Sequence, residues 1–220
     1  MSALPQPVRG VFFDLDGTLA DSAPDMHAAL AAFCRETGLA TPAFAIVRET
    51  VSRGARAVLG CALDDAAAID AALPRFLDLY VATGMAHTRA FPGVDDLLAG
   101  LEAHGIAWGV VSNKAADLVG RVLVKLGYAG RARAVIGGDT LPQRKPDPAP
   151  VLRACAIAAV DPAHGLFVGD DPRDIQAGRA AGLFTVAAAW GYLGGVDPWT
   201  WRPDAVAGGA GDLARWLVPA

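Results

Sequence analysis

Two aspartates one residue apart, Asp14 and Asp16, follow directly on the apolar run Val11-Phe12-Phe13 and precede Gly17-Thr18. Side chains alternate along a strand, so residues 14 and 16 point to one side while Leu15 points to the other. At the carboxyl end of a strand in an open α/β sheet, this projects two acidic groups into the crevice where ligands bind. Gly17 permits a sharp turn there. Asp-Gly is also an ordinary turn signal, so the weight of the motif comes from three further groups that follow in order. Ser112-Asn113-Lys114 comes straight after Val110-Val111. A small hydroxyl and turn N–H groups at a strand-to-helix junction can hold a phosphate oxygen, although Ser and Asn also cap helices. Lys145 precedes Pro146, which restricts it to extended geometry. A fixed ammonium there can neutralise a carboxylate and a transferring phosphoryl group, whereas a lone lysine is usually a solvated surface residue. Gly169-Asp170-Asp171-Pro172-Arg173-Asp174 follows Leu166-Phe167-Val168. With Asp14, these carboxylates suit Mg²⁺, which prefers octahedral oxygen ligands at about 2.0–2.1 Å. Helix capping accounts for Asp171 or Asp174 taken singly. It does not account for four such groups, each at a strand end or a helix start.

The elements that must position these residues are legible as short apolar runs alternating with amphipathic segments. Strands are expected at 8–13, 107–111, 134–136, 165–168 and 183–188, and helices at 94–104, 115–126, 149–159 and 173–181. Continuous apolar strands alternating with helices predict a parallel, Rossmann-like α/β sheet with helices on both faces. The segment from about Ala20 to Arg89 breaks the rhythm: it has helical periodicity and no convincing strand. Gly38, Pro42, Gly54 and Pro74 are expected to divide it into several short helices. It reads as a helical insertion, or cap, between the first two strands.

At 220 residues, 53% apolar and 19% charged, the chain is long enough for one buried core plus a smaller unit. A net charge of −4 with no Lys/Arg run argues against nucleic-acid or anionic-membrane partners. Attraction of an anionic substrate must therefore come from a local site or a metal. Cys34, Cys61 and Cys155 are dispersed and odd in number, which fits buried thiols in a reducing, cytoplasmic setting. The four histidines are equally scattered and make no zinc pattern. Asp14 interrupts the first apolar run, so it is not a secretory core. The uncharged stretch from Ala180 to Val196 is read as a buried strand and a glycine-containing loop, not a membrane span.

On Asp14-x-Asp16-Gly17-Thr18, Ser112-Asn113, Lys145 and Gly169-Asp170…Asp174, the chain resembles the phosphatase branch of the haloacid dehalogenase superfamily. The likeness runs over nearly the whole chain and includes the helical segment after the first motif. It implies a core of residues 1–19 and 90–220 and a C1-type helical cap of residues 20–89. It also implies Asp14 as nucleophile and Asp16 as general acid and then base. The Asp14 side chain and Asp16 carbonyl would bind Mg²⁺ together with Asp170. Thr18, Ser112, Asn113 and Lys145 would hold the phosphoryl group. Asp174 would orient Lys145 or, with Asp171, complete the outer metal shell. Many relatives have Ser or Thr where Asp171 stands, which leaves open whether Asp171 touches the metal. The acid role requires Asp16 to be protonated as the leaving group departs, a state expected to come from neighbouring carboxylates.

Val51-Ser52-Arg53-Gly54-Ala55-Arg56 resembles the specificity loop of phosphoglycolate phosphatase-like caps. Arg53 and Arg56, three residues apart, can share a helix face and grip a carboxylate, or can simply be solvated. Val51–Ala57, Trp108–Lys114, Phe167–Ile175 and Gly191-Tyr192 also resemble bacterial N-acetylmuramic acid 6-phosphate phosphatases. The expected function is therefore Mg²⁺-dependent hydrolysis of 2-phosphoglycolate or N-acetylmuramic acid 6-phosphate through an aspartyl-phosphate, by a monomer or homodimer. A dehalogenase would not need Asp16. A phosphonatase needs a cap lysine, and none lies between Met1 and Lys114. A sugar-phosphate mutase keeps the same motifs and stands as the alternative enzyme. A non-catalytic sugar-phosphate-binding module is the alternative from another class.

Overall fold

The computed structural model describes residues 4–218, so the outermost positions of the expected core, residues 1–19 and 90–220, lie outside the described residues. In chain order, β1 (Gly10–Phe13) and β2 (Ala20–Asp21) are followed by α1 (Ala23–Thr37), α2 (Phe44–Arg48), α3 (Ala55–Leu59) and α4 (Ala66–Ala82). Next come β3 (Arg89–Ala90), α5 (Val94–Ala103), β4 (Ala107–Val111), α6 (Ala116–Lys125) and β5 (Ala134–Ile136). The chain then runs through α7 (Ala149–Ala158), β6 (Gly165–Gly169), α8 (Pro172–Ala180), β7 (Phe184–Ala188), β8 (Ala205–Ala207) and α9 (Ala210–Leu217).

Six strands pair in parallel in the order β5-β4-β1-β6-β7-β8. β1 is central and buried at all four positions. Its residues divide between two cores, as alternation requires. Val11 and Phe13 join Val110, Leu166, Val168 and the apolar stripes of α5, α6 and α9 on one face. Phe12 joins Val111, Ile136, Phe167 and the inner residues of α7 and α8 on the other. The five expected strands are all present. The three-residue Ala-Val-Ala of β8 and the pair β2–β3 carry too little pattern to register in the sequence.

The helical insertion leaves and re-enters the core through β2 and β3, an antiparallel pair two residues long. Pro74 does not break it: α4 runs through Pro74 from Ala66 to Ala82. Proline inside a helix costs about 3 kcal/mol or more through a missing N–H and a ring clash. Here α4 packs along α1 and buries Phe76 and Tyr80 completely. Burial of side chains that size offsets the local cost.

The base of the insertion is tied by Asp25, a fully buried carboxylate on α1. It accepts hydrogen bonds from the Thr88 N–H at 2.6 Å, the Thr88 hydroxyl at 2.7 Å and the His87 N–H at 3.1 Å. Removing the carboxylate leaves three donors without their acceptor. Asp25→Ala is therefore expected to lower unfolding stability by roughly 2–4 kcal/mol in urea titration. A loss below about 0.5 kcal/mol would contradict this account of the insertion's anchor.

Candidate active site

All the sequence motifs reach the carboxyl edge of the sheet. β1 delivers Asp14, β4 delivers Ser112, and β6 delivers Asp170 at the start of the turn into α8. Asp14 Oδ1 lies 3.0 Å from the Lys145 ammonium and accepts the Leu15 N–H at 2.7 Å. The same ammonium donates to Asp174 Oδ1 at 2.7 Å, and the lysine side chain is 2% exposed. Burial works to lower the Lys145 pKa, but the charges of Asp14 and Asp174 outweigh it and raise it, so the ammonium stays charged.

Two features aim Lys145. The Asn113 side chain clamps its backbone, accepting from the Lys145 N–H at 3.0 Å and donating to the Lys145 carbonyl at 2.9 Å. Asp174 is fixed in turn by a capping box at the start of α8: Asp171 accepts from the helix N–H groups while Asp174 Oδ2 accepts the Asp171 N–H at 3.1 Å. Sequence reasoning placed Asn113 at the phosphate, but its amide is taken up by the Lys145 backbone. The 2.7 Å contact of Asp174 with the ammonium fits the first of the two roles expected for it, orienting Lys145.

Carboxylate oxygens of Asp14, Asp170 and Asp174 lie within 4.8 Å of one another. Two of these three buried carboxylates, Asp14 and Asp174, also flank the Lys145 ammonium. Burial first, and the charge of Asp14 second, push the Asp170 carboxyl up to about 7, against hydrogen bonds from Ser52, the Tyr192 N–H and Thr18. A group so strained by uncompensated charge is what a divalent cation relieves. The backbone makes room for the crowding. Gly17 has φ 87°, and a Cβ there would lie 2.0 Å from Asp170 Oδ2; one on Gly191 would lie 2.3 Å from the Asp170 Cβ. An oxygen-only donor set with excess negative charge fits a hard cation of the Mg²⁺ type. Thr18, expected at the phosphate, donates to Asp170 Oδ1 at 2.9 Å. Asp171 is occupied by Arg173, whose Nε and Nη2 donate to it at 2.6 and 2.8 Å.

Asp16 stands apart from this cluster. Both its oxygens accept from the Lys114 ammonium at 2.8 Å, and one also accepts from the Ser22 hydroxyl. The groups holding it are an ammonium and a hydroxyl, not the carboxylic acids expected from the sequence. Ser112 is 5% exposed, its N–H bound to the Ile136 carbonyl at 2.9 Å and its hydroxyl accepting the Lys114 N–H at 3.3 Å.

The insertion touches the site through Ser52. Its hydroxyl donates to Asp170 Oδ2 at 2.6 Å, and its carbonyl accepts from Arg173 Nη2 at 2.7 Å. Ser52, Lys114, Arg173 and Tyr192 all belong to stretches singled out in the sequence, yet none carries a signal of its own. Their roles arise from contacts across 22 to 121 positions in the chain, such as Arg173 to Ser52 and Lys114 to Asp16. Arg53 and Arg56 are not brought to the carboxylates: Arg53 is exposed, and Arg56 pairs with Asp70 on the outer surface. Gly54 forms the break between the short turn at Val51–Arg53 and α3. A surface cleft of about 610 Å³ between the end of α4 and α6 contains none of Asp14, Asp16, Asp170 or Asp174.

The family profile described as haloacid dehalogenase-like hydrolase matches residues 11–188. A phosphoglycolate phosphatase of Xanthomonas campestris pv. campestris is 47% identical over 199 residues, covering 89% of this chain and 90% of its own. An N-acetylmuramic acid 6-phosphate phosphatase of Pseudomonas aeruginosa is 39% identical over 203 residues, covering 90% of each chain. A crystal structure described as a predicted phosphoglycolate phosphatase, from Haemophilus somnus 129PT, superposes with a TM-score of 0.85 at 27% identity, over 94% of this chain and 96% of that one. Among the described residues, no helix is long and apolar enough to cross a membrane. With its profile match, its relatives and its catalytic-edge geometry in accord, the chain belongs to the haloacid dehalogenase-like hydrolase family, in the phosphatase branch.

Proposed function

We propose that the protein is a Mg²⁺-dependent phosphatase that hydrolyses a small, carboxylate-bearing phosphomonoester through a phosphoryl group carried on Asp14. The observation that carries this reading is the position of Asp14: at the end of the central strand, 3.0 Å from a buried ammonium, beside two further carboxylates. Relatives named as phosphoglycolate and N-acetylmuramic acid 6-phosphate phosphatases support the substrate class, since both esters pair a phosphate with a carboxylate. The helical insertion, residues 20–89, serves as the cap, with Ser52 as its foot on the site. A reducing, cytoplasmic location suits the three free thiols.

In the first half-reaction an Asp14 carboxylate oxygen attacks phosphorus as the ester P–O bond breaks, and Asp16 gives its proton to the departing oxygen. In the second, water attacks phosphorus, Asp16 takes a proton from that water, and the Asp14–phosphorus bond breaks to release phosphate. Lys145 offsets charge on Asp14 and on the phosphoryl oxygens throughout. Ser112 stands where its hydroxyl can meet a phosphoryl oxygen. Asp14, Asp170 and the Asp16 carbonyl would hold Mg²⁺, which supplies charge neutralisation for the transferring phosphoryl group.

Phosphate release from 2-phosphoglycolate, N-acetylmuramic acid 6-phosphate and hexose phosphates tests the reading. Release is expected to require Mg²⁺, to vanish with chelator, and to fall on the order of a thousandfold or more in Asp14→Asn. Isomerised product without net phosphate release would instead make the protein a mutase.

Cation and proton compete for Asp170. The carboxyl titrates near 7 in the metal-free protein, above its ordinary value, so it holds a proton below that pH and is ionised above it. Metal-free stability should therefore decline as pH rises from the usual carboxylate range to about 7. Mg²⁺ should correspondingly raise the thermal midpoint more at about pH 8 than at about pH 6. A larger increment at the lower pH would contradict the placement of the cation at Asp170.

A further inference from the structure

Lys114 is the second buried ammonium of the site, and the phosphoryl chemistry leaves part of it unused. Its side chain is 6% exposed. An ammonium has three N–H donors, and the two Asp16 oxygens, both 2.8 Å from Nζ, meet it from one side and leave donor capacity over. The Tyr80 ring, from α4 of the insertion, lies against the same ammonium, with Nζ 4.8 Å from the ring centroid. Tyr80 is fully buried, and its hydroxyl has no hydrogen-bond partner. A buried hydroxyl left unsatisfied is costly and rare. An uncommitted N–H and an unpartnered O–H therefore meet at the contact between insertion and core, next to the residue that must face the leaving oxygen.

Two adjacent donors, one of them charged, match the two oxygens of a carboxylate. We propose that Lys114 and Tyr80 form the receptor for the substrate's carboxylate, one N–H and the hydroxyl donating to it while the ammonium keeps its contact with Asp16. This rests on the carboxylate-bearing substrate class argued above and assigns its recognition to these two residues, not to Arg53 and Arg56. Because one ammonium touches both Asp16 and the carboxylate, the carboxylate must lie close to the ester oxygen. That fits an ester whose carboxylate sits on the carbon bearing the phosphoryloxy group. It fits poorly an ester, such as a muramic acid 6-phosphate, in which a sugar ring separates the two groups. Since Tyr80 comes from the insertion, the receptor is complete only when the insertion is seated, which couples substrate choice to closure.

The test compares 2-phosphoglycolate with ethyl phosphate, which replaces the carboxylate by a methyl group. For the wild type, 2-phosphoglycolate is expected to be the better substrate; equal kcat/KM values would overturn the carboxylate reading itself, before any variant is made. Tyr80→Phe keeps the ring and removes only the hydroxyl. It is expected to raise KM for 2-phosphoglycolate about tenfold while changing ethyl phosphate less than about threefold. Equal effects on both esters, or none on either, would overturn the assignment. Lys114→Met also disturbs Asp16 and so slows every ester, but it should lose at least about tenfold more kcat/KM on 2-phosphoglycolate than on ethyl phosphate. Retained preference for 2-phosphoglycolate in Lys114→Met would also overturn it.

Discussion

Three buried carboxylates with a single ammonium among their contacts set the terms for the rest of this protein. Asp14, Asp170 and Asp174 share one small volume with Lys145, and water does not screen them. Unbalanced buried charge is expensive, so every neighbouring element works to contain it. The capping box of α8 fixes Asp174, the Asn113 amide fixes the Lys145 backbone, and Thr18, Ser52 and Tyr192 each donate to Asp170. The remaining negative charge is what a hard cation at this cluster would neutralise. Glycines at 17 and 191 are required because no side chain fits beside Asp170.

The turn that follows β1 then divides the work between two ammonium–carboxylate pairs. Asp14 is matched with Lys145, which arrives from the loop before α7, and Asp16 with Lys114, which arrives from the turn after β4. The first pair belongs to the cluster where the phosphoryl group would sit. The second is removed from it, under Tyr80, on the side where the leaving group would lie. A two-residue spacing in the sequence thus becomes a separation between the attacking and departing ends of one reaction. The insertion reaches both ends, through Ser52 at Asp170 and through Tyr80 at Lys114, so its seating bears on both steps.

Much of this was legible in the sequence, for identifiable reasons. The buried strands carry continuous apolar runs, and Asp14, Ser112 and Asp170 follow strand ends, so a local pattern sufficed for the sheet and for bringing these three to one edge, with Lys145 arriving from the loop before α7. What escaped was whatever depends on contacts between distant segments. Lys114 looked like the tail of a turn motif, and its partner Asp16 is 98 positions away. Ser52 was passed over for the arginines beside it because charge is a louder signal than a hydroxyl, yet Ser52 faces the core while Arg56 turns outward to Asp70. Pro74 misled because helix breaking is a local rule, and the packing of Phe76 and Tyr80 against the rest of the insertion overrides it.

The central claim is that phosphorus is bonded to Asp14 between substrate and product. Rapid acid quench of the enzyme turning over its best ester with Mg²⁺, followed by peptide mass spectrometry, tests it most directly. A phosphoryl adduct on the peptide containing Asp14, formed before free phosphate accumulates and discharged as turnover ends, is the result this account predicts. Phosphate appearing with no adduct at any quench time, or an adduct on a different residue, would contradict it.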